Sequence, residues 1–308
     1  MSTNAIQSSH IYSTYFAPRG RSRIYTLGMQ IAQLYLSPFD QIIGFIGEAG
    51  SGKSVLIKGM FPGIELTNDD DGVNVRPLPL LEQEYETGFF TPHTYHLDIR
   101  FETGFHQLSE LADAVRLAFR RGKRIIIEHF DLIYPLLGVN ANLLIGVGEQ
   151  IVITRPNLFG PLPQELCDIV YPSLAYRLMA HSAEDLCEYA MTQEQMLACS
   201  HGDIRHGFVL EFNEHQPDID IPTLEARVNE LIRQDLPIDY YDESHILLGG
   251  AQHYCTGPRT HVRSTGRIIG FRLLDHFIYD HFHKTYMLVG CVGDDSEENI
   301  RKLETIHG

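Results

Sequence analysis

The segment Gly47-Glu48-Ala49-Gly50-Ser51-Gly52-Lys53-Ser54 restricts what this chain can fold into more than any other. It fits the pattern G-x-x-x-x-G-K-S/T at every position. A short apolar run, Gln41 to Gly47, precedes it, and a helix-compatible stretch, Val55 to Phe61, follows. Glycines let successive backbone N–H groups turn inward around a phosphate. The lysine sets a point charge against the outer phosphates, the serine hydroxyl offers an oxygen ligand to Mg²⁺, and the start of the next helix adds its dipole. A strand, such a loop and a helix in that order predict a site for a nucleoside triphosphate, ATP or GTP, with Mg²⁺. The expected cofactor-binding residues are Gly47, Glu48, Ala49, Gly50, Ser51, Gly52, Lys53 and Ser54.

The flanking pattern predicts the fold class. Ile24 to Leu36 reads as a short amphipathic helix ended by Ser37-Pro38. A second strand is expected at Gly63 to Thr67, leading into Asp69, Asp70 and Asp71. Residues 72–104 read as a long irregular loop. The segment from Phe105 to Gly122 carries a helical apolar stripe, with arginines where the helix dipole favours cations. Further strands are expected at Arg124 to Phe130, Leu143 to Gly148 and Gln150 to Pro156. This alternation argues an α/β domain with a mainly parallel sheet over residues 24–172. Ligands of such sheets bind at the C-terminal ends of the strands. Glu128 ends one strand and is expected to hold Mg²⁺ together with Ser54. Asp69 or Asp70 is expected to take a proton from an acceptor hydroxyl.

With those residues in view, the first half resembles the uridine-kinase-like branch of P-loop kinases. The segments that carry the resemblance are the phosphate loop, Thr67-Asn68-Asp69-Asp70-Asp71, the helix from Phe101 to Lys123, and Arg124 to Pro135, spanning about residues 40–155. It implies a P-loop NTPase fold, a base in the Asp69–Asp71 segment and a small hydroxyl acceptor such as a nucleoside. Where that branch has an arginine-rich lid, Val152 to Pro163 offers only Arg155.

The second half, residues 173–308, reads as a smaller α+β domain. His181 and Asp185 lie four apart in a helical stretch and so share a face. Cys255 and His261 come much later. Together these four side chains have the chemistry of a tetrahedral zinc site or of a water-positioning site. The surrounding words His181 to Ala190, His201 to Phe212, Thr223 to Ile232 and Cys255 to Leu274 occur in that order. They resemble the second additional domain of threonyl- and alanyl-tRNA synthetases, which hydrolyses misacylated tRNA. The match spans about residues 175–275. It implies that His181, Cys255 and His261 stand at three ligand positions, with Asp185 at the fourth, and that zinc is the metal. Arg259, Arg263, Arg267 and Arg272 cluster beside this motif, and a small anionic or amino-acid-like ligand is expected there.

Charge limits the partners. The 308 residues carry 24 Lys and Arg against 40 Asp and Glu, a net charge of −16. Residues 1–178 hold 14 basic and 18 acidic residues; residues 179–308 hold 10 and 22. The editing-like half is therefore the acidic one, and an extended nucleic-acid footprint is not expected. The first 23 residues are polar, lack an apolar signal core and read as a mobile, solvated tail. Five cysteines without a C-x-x-C pair exclude a disulfide framework. No run reaches the length of a membrane span, so no membrane partner and a cytoplasmic location are expected. The resulting expectation is a Mg-dependent ATP- or GTP-binding protein, a nucleoside-like small-molecule kinase or NTPase. The alternatives are a trans-acting aminoacyl-tRNA deacylase and a non-catalytic nucleotide-dependent sensor.

Overall fold

The structure, a computed structural model, describes residues 12–67, 93–213 and 215–307. The chain divides into two compact units. Residues 1–17 and 21–172 form the first, and residues 18–20 and 173–308 the second.

The first unit is built on a six-stranded sheet. Its strands are β1 (Ser13–Phe16), β2 (Ile42–Ile46), β3 (Thr94–Asp98), β4 (Arg124–Glu128), β5 (Leu143–Val147) and β6 (Gln150–Thr154), in the order β1-β6-β5-β2-β4-β3. β5, β2, β4 and β3 run parallel, while β6 and β1 are antiparallel to their neighbours. The sheet is thus mixed and mostly parallel. Alternate residues of β2 feed two cores. Ile42 and Ile46 pack with Ile125, Ile127 and the helices α4 (Leu108–Arg120) and α5 (Phe130–Leu137). Ile43 and Phe45 pack with Ile24 and Ile31 of α1 (Arg21–Tyr35) and with Leu56 and Ile57 of α2 (Lys53–Met60). A sheet buried on both faces needs apolar residues at consecutive positions, which is why β2, β4 and β5 read as unbroken aliphatic runs.

Three expectations are corrected here. Gly63 to Thr67 is not a strand: Gly63 has φ +85°, and the Ile64 amide bonds back to the Phe61 carbonyl in a turn. The sheet position is filled instead by β3, inside the span expected to be an irregular loop, and a short helix α3 (Ile99–Glu102) follows. The solvated tail does not extend to residue 23 either. β1 pairs with β6 from Ser13 onward, and Arg19 is only 2% exposed. Asp69, Asp70 and Asp71 lie outside the described residues.

The division between the units falls within α6 (Pro163–Ala190). α7 (Gln193–Ala198) and α8 (Ile221–Arg233) follow. β7 (Cys199–Ile204), β8 (Gly207–Asn213), β12 (Arg272–Leu273), β13 (Ile278–Asp280) and β14 (Thr285–Cys291) make an antiparallel sheet in the order β12-β14-β8-β7, with β13 on β14. β9 (Ile238–Asp242), β10 (His245–Leu248) and β11 (Ala251–Tyr254) form a smaller one. Phe208, Leu210 and Phe212 of β8 join α6 and α8 in the core, while Val209 faces the opposite side, toward α9 (Ser296–His307). The segment from His261 to Leu274 holds a 3₁₀ turn at Thr265–Arg267 and the two strand residues of β12.

Candidate functional site

The parallel register brings the ends of β2, β4 and β3 abreast: Phe45 lies opposite Glu128, and Glu128 opposite Asp98. The phosphate-loop segment leaves β2 at this edge. Gly47, at φ +153°, passes so close to β5 that a Cβ there would lie 2.5 Å from the Val147 carbonyl oxygen. Gly52, at φ +94°, starts α2 without a side-chain cap, so the first amides of α2 keep no competing side-chain acceptor at that position. The loop therefore combines a left-handed turn, a free helix start and a lysine at the first helical position.

The side chains converge on Glu128, which is 2% exposed. Ser54 Oγ donates to Glu128 Oε1 at 3.1 Å. Lys53 Nζ lies 3.8 Å from Glu128 Oε2 and donates to the carbonyls of Gly47 (3.0 Å) and Glu48 (2.9 Å). The Thr67 amide donates to His96 Nδ1 at 3.1 Å, so Nδ1 accepts and Nε2 carries the proton. His96 Nε2 then donates to Glu128 Oε1 at 3.1 Å. Burial alone would raise the Glu128 carboxyl, but the His96 hydrogen bond, with the charge of Lys53 and the Ser54 hydrogen bond, holds it below its ordinary value. Burial also pushes the Lys53 ammonium down, against the pull of Glu128 and Asp98.

Sequence reasoning missed three groups at this edge. Asp98 ends β3, is buried, and caps α3 by accepting from the Phe101 amide at 3.1 Å. Its signal was the alternation Tyr95, Leu97 followed by a carboxylate. Glu102 is raised to about 7 by burial and then by the charge of Asp98. Arg100 reaches Glu48 Oε2 of the loop at 3.3 Å and stays half exposed. Arg155 is elsewhere: it binds Asp40 at 2.7 and 2.8 Å and the Asn142 carbonyl at 3.2 Å. β6 runs antiparallel, so its C-terminal end lies at the opposite edge of the sheet. A cavity of about 320 Å³ near Asp40, Gln41 and Arg124 also lies at that opposite edge. It belongs to a different surface from the loop.

In the second unit, three of the four expected ligands meet. The donor atoms of Asp185, Cys255 and His261 lie within 4.8 Å of one another, and His261 Nε2 is 2.7 Å from Asp185 Oδ2. His181 does not join them. Its Nε2 faces Asp203 Oδ1 at 3.5 Å, and burial pushes its imidazole down to about 4. Arg19, from the segment counted with this unit, supplies the cation instead. Its guanidinium donates to Glu184, to Asp185 and, at 3.0 Å, to Cys255 Sγ. The four-residue zinc set therefore does not fit as expected: one ligand points away, and a guanidinium already neutralises the carboxylate. Burial pushes the Cys255 thiol up to about 12. Of the expected anion-binding arginines, Arg259 pairs with Glu243 at 3.5 Å and stacks on Tyr240, and Arg272 pairs with Glu225 at 3.2 Å.

No protein-family model and no curated protein sequence matches the chain. No described helix is long and apolar enough to cross a membrane.

Proposed function

We propose that the first unit is a P-loop NTPase domain that binds ATP or GTP with Mg²⁺ and acts on the terminal phosphate, as a kinase for a small hydroxyl compound or as an NTPase. The observation that carries this reading is the contact of Ser54 Oγ with Glu128 Oε1, with Lys53 beside both. A hydroxyl and a carboxylate are the hard oxygen donors that Mg²⁺ takes, and they sit at the strand edge where phosphate would lie. The residues thus fit the ion, which would supply charge neutralisation on the phosphate oxygens. Lys53 would leave the Gly47 and Glu48 carbonyls for the phosphates. His96 would keep Glu128 oriented and ionised. Asp98, on the neighbouring strand end, is the described carboxylate best placed to accept a proton from an attacking hydroxyl; Asp69 and Asp70 are the alternatives drawn from sequence. The second unit would be an editing-like ligand domain.

A second reading has its own support. Arg155 is engaged away from the loop, and Arg100 is the one basic side chain bonded to it among the described residues apart from Lys53. With Lys53 and Arg100 as the cations bonded to the loop among the described residues, the site suits a nucleotide-dependent sensor better than a fast kinase. A phosphate-release assay over a panel of nucleosides and amino acids separates the two. Turnover that Asp98→Asn lowers by about 10²-fold or more, within the usual range for loss of a general base, supports the kinase. Tight Mg-nucleotide binding with no turnover supports the sensor. Glu128→Gln should make nucleotide affinity nearly indifferent to Mg²⁺. A Mg²⁺ dependence equal to wild type would remove Glu128 from the ion's site. The deacylase reading gains no support from His181, which faces Asp203 and does not join Asp185, Cys255 and His261.

A further inference from the structure

A second cluster in the same unit has the chemistry of a metal centre and involves none of the residues picked from sequence. Glu184 and Glu188 lie four apart on α6, so one helical face presents both. Cys199 and His201 lie two apart on β7, so one strand face presents both. Among the described residues β7 is the edge strand of its sheet, paired with β8 alone. The donor atoms of Glu188, Cys199 and His201 lie within 4.8 Å of one another. His201 Nε2 is 3.1 Å from Glu188 Oε1, and Cys199 Sγ is 3.9 Å from the same oxygen. In a tetrahedral zinc site with bonds of about 2.0–2.3 Å, neighbouring donor atoms stand roughly 3.3–3.6 Å apart. The observed spacings bracket that separation.

Two further features point to an ion. Glu184 Oε1 is 3.0 Å from His201 Nδ1, which fixes the ring so that Nε2 turns toward Glu188. This carboxylate-to-imidazole bond is the outer-shell contact that metal-bound histidines use. His253, 8% exposed, aims its Nε2 at the other Glu188 oxygen at 3.9 Å, and that buried nitrogen has no hydrogen-bond partner among the described residues. An unpartnered buried nitrogen is costly unless something fills the gap. The competing arrangement is a His201–Glu188 ion pair beside a Cys199 thiol that donates to the Met196 carbonyl at 3.2 Å.

We propose that Glu188, Cys199 and His201 bind a zinc-type dication that fastens the edge strand β7 to α6, with His253 facing the far oxygen of Glu188. The mixed N, S and O donors exclude Mg²⁺ and favour Zn²⁺ or its reporter Co²⁺. Glu184 acts as a positioning residue. This ligand set shares no residue with Asp185–Cys255–His261, although Asp185 lies within 4.8 Å of Glu188 and His253, and Arg19 bonds to Glu184 as well as to Asp185.

The test is a Co²⁺ titration of the full-length protein, read by the visible bands of tetrahedral cobalt and by the sulfur-to-cobalt charge-transfer band, with zinc stoichiometry measured in parallel. Wild type is expected to take up about one ion per chain with a thiolate band. Cys199→Ser is expected to abolish that band, His201→Gln to weaken binding by at least tenfold, and Cys255→Ser to change neither. Circular dichroism identifies any variant that fails to fold. His201→Gln provides a second reading if Cys199→Ser is lost. Absence of binding to folded wild type overturns the proposal, as does a band that vanishes in Cys255→Ser but survives in Cys199→Ser.

Discussion

Lys53→Ala is expected to weaken Mg-nucleotide binding by roughly 10- to 150-fold, the equivalent of a hydrogen bond to a charged group worth about 1.5–3 kcal/mol. The ammonium is 4% exposed and spans Glu128 and the loop carbonyls. Its alanine replacement leaves Glu128 with Ser54 and His96, so the carboxylate keeps two donors and the fold has little reason to collapse. Isothermal titration with ATP and GTP measures the effect, and thermal melting checks the fold. Lys53→Arg should rescue little, because a planar guanidinium cannot occupy the pocket of a compact ammonium. Affinity unchanged in a folded Lys53→Ala variant would end the nucleotide reading. It would leave the metal proposal for the second unit untouched, since that depends on other residues and another ligand.

What could be read from sequence was local. The Gly47–Ser54 pattern declares itself within eight residues, and Glu128 follows from an aliphatic run ending in a carboxylate. β3 was harder to see because its buried polar residue, His96, breaks the aliphatic pattern that marked β2 and β4. The run of Asp69 to Asp71 drew attention to the strand end expected before it. Asp98 became visible only when pairing set it opposite Glu128. Helical spacing put His181 and Asp185 on one face but said nothing about Asp203, which reaches His181 from β7. The Cys199-x-His201 pair was short enough to notice, yet its meaning depends on Glu188 eleven residues earlier on another element. Arg19 was beyond reach: its partners lie 165 and 166 residues away, and no periodicity records such a pairing.

Arg19→Met is expected to be the most destabilising single change in the second unit, costing about 3–5 kcal/mol. The cost does not come from losing attractive contacts as such. Arg19 is buried, and the change would leave Glu184 and Asp185 as buried carboxylates without their cation. Burial would raise the Asp185 carboxyl, yet the charge of Arg19 and the His261 hydrogen bond hold it well below the usual carboxylate range. A carboxylate depressed in the folded state contributes stability that is complete above the unfolded value, about 3.9, and is lost as pH falls through the lower folded value. Without Arg19 the depression weakens or reverses, so the Asp185 carboxylate of the variant takes up its proton at higher pH than in wild type. The penalty should therefore be largest near pH 7 and shrink as pH is lowered toward 4. Adding Glu184→Gln and Asp185→Asn to Arg19→Met should recover most of the loss, because an uncharged set needs no counter-ion. Hydrogen exchange of β8 and β14 peptides reads the second unit alone, which matters in a chain with two compact units. A loss below about 1 kcal/mol, or a penalty that grows on acidification, would show that Arg19 does not neutralise this cluster.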